Sequence, residues 1–228
     1  MGFQRTILPK SYKSGPDLTA DMIGIGMAFA GTATEDPNIE NTLIAASLEG
    51  VGGEYRVLSL LTDWLDVHLK VVNADRLIHL IDKIDDAKVK LYWLAVSQWQ
   101  SKDHRFAKLR RKAARLQRSQ LGSGIEFQIK KYGEDERFQN TKLIVPNNML
   151  RQRAKDIIPP GYMAKHHLAY KYRLLIGPGY SADLWAALER RGKDVSPTEL
   201  ARITYSSISS AWEVKKNWNL VNGFNEAS

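Results

Sequence analysis

Apolar residues recur at intervals of three and four along most of the chain, a spacing that predicts helices. The clearest stretch is 55–68, where Val57, Leu60, Leu61, Trp64, Leu65 and His68 share one face. Asn73 is placed to cap the next helix, with Leu77, Ile78 and Ile81 inward, and Leu91, Leu94, Ala95, Gln98 and Trp99 repeat the pattern over 88–100. Upstream, Thr19 would cap a short glycine-interrupted helix. Asp36 would cap another, with Pro37 at its first position and Gly50 as its stop. Over 104–120 a narrow stripe of Phe106, Leu109, Ala113 and Leu116 runs through a cationic helix.

The pattern changes at residue 121. Ile125, Phe127 and Ile129 alternate with polar residues, a turn is expected over 133–136, and an apolar run returns over 141–145, which predicts a β-hairpin. Helices follow over 147–158, stopped by Pro159 and Pro160, over 163–176, ended by Gly177, and over 181–191, begun by Ser181 and stopped by Gly192. The expected fold is mainly α with one β-hairpin. Residues 1–120 form a helical, bundle-like part that opens with an irregular arm over 2–17 and ends in the basic helix. Residues 121–176 carry the hairpin and connecting helices, and 177–228 form a helix-turn-helix-like unit.

That last unit rests on the stretch 196–221. Ser196 and Glu199 have the spacing of a capping box, and Pro197 suits the first helical position. Leu200, Ala201 and Ile203 would face inward, with Ala201 small enough for two helices to cross. A bend is expected at 205–207. Ile208, Ala211, Trp212, Val214 and Trp218 would give the second helix its apolar side. With the helix over 183–190 ahead of it, this order resembles winged helix-turn-helix DNA-binding regulators over about the last 50 residues, with 219–221 in the place of a first wing strand. The turn has Tyr205 and Ser206 where a glycine is usual. The resemblance implies DNA contact through Ser207, Ser210, Lys216 and Asn217. The mixed layout is also similar to that of autoregulating bacterial antitoxins of the AbiEi type, which implies a cognate toxin as an acidic partner. Without the resemblance, the same helices read as a capped hairpin closing a core.

Charge shifts attention elsewhere. The chain carries +8 overall, but residues 101–176 hold eighteen Lys and Arg against six Asp and Glu, and the flanking segments are neutral or acidic. Lys102, Arg105, Lys108, Arg110, Arg111, Lys112, Arg115 and Arg118 lie within 17 residues. Such repulsion is relieved by a phosphate backbone or by an acidic protein. The expected function is therefore a DNA-binding transcriptional regulator. A module for an acidic protein partner and an RNA-binding or nucleic-acid-processing protein are the alternatives, and a homo-oligomer is compatible with each.

Other chemistry finds little purchase. With no cysteine there is no disulfide, thiol nucleophile or thiolate metal site. The five histidines lack metal spacing, and His166 and His167 point about 100° apart on a helix. The Gly24, Gly26 and Gly31 stretch follows no strand, and Asp82, Asp85 and Asp86 read as a solvated helix end. No catalytic group, metal or cofactor is expected. With no secretory leader pattern and no apolar run near 20 residues, a soluble cytoplasmic protein without membrane contact is expected.

Overall fold

A computed structural model describes residues 8–223. The chain is mainly helical with one small β element, in agreement with the expected class. Helices α1 (Gly15–Gly24), α2 (Ile39–Val51), α3 (Tyr55–His68), α4 (Ala74–Lys83) and α5 (Ala87–Trp99) pack around a core built on Leu43, Leu60, Trp64, Leu77 and Trp93. Both fully buried tryptophan edges inside it are paired. Trp64 Nε1 donates to Ile25 O at 2.7 Å, and Trp93 Nε1 donates to Ser47 Oγ at 2.9 Å. Of the expected arm, residues before 8 lie outside the described residues, and Leu8 and Tyr12 pack on this core.

Asn73 caps α4 through Arg76 N, and Asp86 caps α5. Two other caps differ from expectation. Thr19 lies inside α1, which begins at Gly15 behind Ser14. Asn38 rather than Asp36 caps α2, accepting from Asn41 N at 3.0 Å. Asp36 stands outside that helix at φ 43°, with its carboxylate turned to a distant one. Gly50 is no stop, since α2 runs on to Val51. It marks instead the close approach of α2 and α3, where a Cβ would stand 2.8 Å from Leu58 Cβ and 3.0 Å from its backbone. Gly24 and Gly26 have a similar explanation. A Cβ on the first would meet Thr34 O at 2.5 Å, and the second, at φ 98°, lies beneath Met163.

The basic stretch is not one helix. A 3-10 turn over His104–Phe106 leads into α6 (Ala107–Ala113), and the chain then leaves the helix. Phe106, Leu109 and Ala113 are buried, but Leu116 is 40% exposed, so no core supports a further turn. Strand β1 (Ser119–Gln120) pairs in parallel with β2 (Leu143–Ile144), and between them lies α7 (Glu126–Tyr132). The expected hairpin is therefore a parallel pair enclosing a helix. The alternation of Ile125, Phe127 and Ile129 was ambiguous, because Ile125 and Ile129 also stand at helical spacing.

No α-helix forms over 147–158, where a 3-10 turn spans Ala154–Asp156. Side chains take this segment's backbone groups: Asp63 accepts from Arg153 N, and Arg137 donates to Leu150 O. Helices α8 (Pro160–His166) and α9 (Leu168–Ile176) replace the single helix expected, with the break at His167. The first core continues to Tyr170. Helices α10 (Tyr180–Arg191), α11 (Pro197–Thr204) and α12 (Ile208–Val221) gather around a second core of Leu184, Leu188, Val195, Leu200, Ala201, Ala211, Val214 and Trp218. Leu220 and Val221 lie in the last turn of α12, so the strand expected there is helix. Among the described residues no helix is long and apolar enough to cross a membrane.

Replacing Gly50 by Ala forces α2 and α3 apart at backbone level and should cost about 1–3 kcal/mol. A thermal midpoint several degrees below wild type is the expected result, and an unchanged midpoint would refute the close contact.

Candidate nucleic-acid interface

Helices α11 and α12 are joined by three residues, Tyr205, Ser206 and Ser207. Ser196 caps α11, accepting from Glu199 N at 3.1 Å. Tyr205 ends it in the left-handed region at φ 55°, where a glycine is usual. Ser206 is buried beneath the turn, its hydroxyl 2.9 Å from Thr204 Oγ1. Ala201 and Ala211, both buried, leave room for the two helices to cross.

The candidate contact residues of this unit divide into two pairs. Ser207 is the N-cap of α12, with Oγ accepting from Ser210 N at 3.1 Å, and the Ser210 hydroxyl lies 2.9 Å from it. Both are half-buried in that cap. Lys216 and Asn217 are exposed on the outer side, with Ser209 and Glu213. Ile208 and Trp212, expected inward, also face outward at 50% and 56% exposure. Apolar residues fall on several sides of α12, so their spacing alone does not identify the buried one.

The eight central cations divide as well. Arg105 binds Asp103 and reaches the carbonyls of Leu69, Lys70 and Val72. Arg110 donates to Asp103 O at 2.8 Å and Ser97 O at 3.3 Å, closing the end of α5. Arg118 holds Thr141 O and Glu134, while Lys108 and Lys112 share Asp82, whose carboxyl they hold below the usual range against the effect of burial. Lys102, Arg111 and Arg115 are exposed and have no ion pair among the described residues. Five of the eight thus fasten the fold, which composition alone cannot distinguish from binding.

A buried charge cluster fastens the second core to the first. Arg173 of α9 bonds Glu40 of α2 at 2.6 and 2.9 Å, Asp183 of α10 at 2.7 and 2.8 Å, and Val71 O at 3.0 Å. Glu40 also accepts from Asn73 N at 2.8 Å, and Arg76 lies 3.9 Å away. Burial alone would raise the Glu40 carboxyl, but Arg173 and Arg76 hold it below the usual range. Arg76 also lies over the Tyr205 ring at 4.6 Å, so the turn itself rests on α4. Asp36 completes the seam. It caps α9 by accepting from Leu168 N at 2.9 Å and pairs with Arg190 of α10. A cavity of about 220 Å³ remains beside it, lined by Asn38, Asp183, Arg190, Arg191 and Thr204.

Two buried histidines belong to this support. His68 stands between Tyr170 Oη at 2.7 Å and Ile158 O at 2.9 Å, and His167 Nδ1 accepts from Tyr170 N at 3.1 Å. Burial pushes both down to about 4, with Arg173 adding to the effect on His167. His167 is therefore neutral at pH 7, and its 2.9 Å approach to Asp36 is no ion pair there. The two acceptors are neighbours because both cap α9.

No protein-family model, no curated protein and no solved structure matches the chain.

Arg173→Met would leave Asp183 without the guanidinium and Glu40 with only Arg76 and Asn73 N, and should cost about 3–5 kcal/mol in denaturant unfolding. Replacing Glu40 and Asp183 by their amides in the same chain should recover part of that loss, and no recovery would show that packing dominates. Between pH 4 and 6.5 the unfolded chain binds more protons than the folded one at His68 and His167, so stability rises with pH across that window. The urea midpoint should fall as the pH is lowered from 7 to 4.5. His68→Gln should flatten that fall, and a wild-type midpoint independent of pH would contradict it.

Proposed function

We propose that the protein is a DNA-binding regulator that reads duplex DNA with α12. The observation that carries this reading is the three-residue turn between α11 and α12. One side of α12 is buried by Ala211, Val214 and Trp218, and its outer face is open from Ile208 to Asn217. Lys216 and Asn217 are the side chains for base edges. Arg202 and Ser209 lie exposed on the same helix pair, suited to phosphates. Lys102, Arg111 and Arg115 add sequence-independent affinity through counterion release.

Ile208 and Trp212 favour a second reading, a protein partner on the same face, because large exposed apolar side chains with a central tryptophan are typical of interface anchors. A protein with an acidic rim around an apolar pocket fits the neighbouring Lys216.

A gel shift with genomic fragments across a salt series tests the DNA reading. Affinity should fall steeply with salt, and Arg111→Ala with Arg115→Ala should reduce the log–log slope by about 2. Lys216→Ala and Asn217→Ala should weaken the preferred fragment by about 10-fold or more while leaving non-specific binding nearly unchanged. No retardation at low salt would remove the proposal. Loss of a co-purifying protein on Trp212→Ala, with no shift by wild type, would favour the second reading.

A further inference from the structure

Helix α7 lacks what holds every longer helix in place. None of its residues is buried; its neighbour Ile125 is the anchor. It is set between Gly124 at φ 70° and Gly133 at φ 75°, both with open space around them, and only Gln128 and Ile129 are half-buried. A seven-residue helix is marginal in water without a packed face.

What α7 exposes is specific. Phe127 is 72% exposed, and Lys130 and Lys131 stand three and four residues on, so all three share one face. Tyr132, 45% exposed, stands about 140° further round the helix from Phe127, with the Lys131 ammonium between them and 5.0 Å from the Tyr132 ring centroid. Glu126 is the one acid in the helix. The Arg118–Glu134 pair and the bond from Asn147 N to Gly133 O at 3.0 Å tie the end of α7 to the segments that carry Arg115 and Arg151. Both are exposed and without an ion pair among the described residues.

We propose that α7 is a stacking platform for single-stranded nucleic acid, with Phe127 and Tyr132 taking the faces of unpaired bases and Lys130 and Lys131 the flanking phosphates. Two exposed rings interleaved with ammonium groups match a polyanion that carries flat apolar surfaces. An acidic peptide supplies the charge without those faces, and base-paired DNA conceals them. The platform is separate from α12 in residues and in the form of nucleic acid it takes, so either can fail without the other.

The test is fluorescence anisotropy of the full chain with a labelled oligothymidylate of about 15 nucleotides and, separately, a blunt duplex. Phe127→Ala should weaken the single strand about tenfold or more and leave the duplex unchanged, while Phe127→Trp should retain binding. Lys130→Gln with Lys131→Gln should lower the salt slope for the single strand by about 1.4. Lys216→Ala, on α12, should leave the single strand unaffected. Because Phe127 is exposed, its replacement should not move the thermal midpoint, which separates binding from folding. The proposal is overturned if wild type ignores the oligonucleotide at low salt or if Phe127→Ala binds it as wild type does. Equal loss of polyglutamate binding in Phe127→Ala would also overturn it, in favour of an acidic protein.

Discussion

Arg173 is the side chain on which the arrangement of the molecule depends. It is buried, and its guanidinium meets a carboxylate from α2, another from α10 and a carbonyl from the turn before α4. A planar fork with donors on several edges can satisfy three partners at fixed angles, which a lysine cannot. Burying such a charge is costly unless every donor is matched, so the elements around it are confined to one relative position. The second core is thus oriented by charge as well as by the packing of α9 on α10, where the Tyr172 ring stacks on Trp185.

A related device works near the middle of α3, at Asp63. Arg137 joins Asp63 at 2.7 Å to Asp135 at 2.6 Å, and the same Asp63 accepts from Arg153 N. This fixes the irregular stretch between α7 and α8, which has little regular structure to define its path. In both places arginine supplies geometry where apolar packing leaves the choice open. Of the eight central cations, Lys102, Arg111 and Arg115 are those with no such task among the described residues.

Elements with a strong local signal were legible in the sequence. The amphipathic α3 and α4, the Asn73 cap and the Ser196 cap follow from spacing and from a side-chain oxygen placed before a helix. The mainly helical class follows as well. What was hidden depends on residues far apart in the chain. Asp36 has the form of a cap for its own helix but serves α9, 132 positions away. The break at His167 and the missing helix over 147–158 come from long-range hydrogen bonds that override local propensity. At the candidate interface, Lys216 and Asn217 lie outward as their spacing implies. The outward turn of Trp212 and the structural use of Arg105, Arg110 and Arg118 required the tertiary fold.

Tyr205 shows two demands meeting at one residue. The backbone there is left-handed, a conformation that disfavours a bulky side chain by about 1–2 kcal/mol and that glycine adopts freely. The ring, however, is the surface on which the Arg76 guanidinium lies, and glycine offers none. A substitution that relaxes the turn therefore loosens the turn's hold on α4, and one that keeps the ring keeps the strain. The position is a compromise whose two optima exclude each other, so the effect of changing Tyr205 depends on what stands at Arg76.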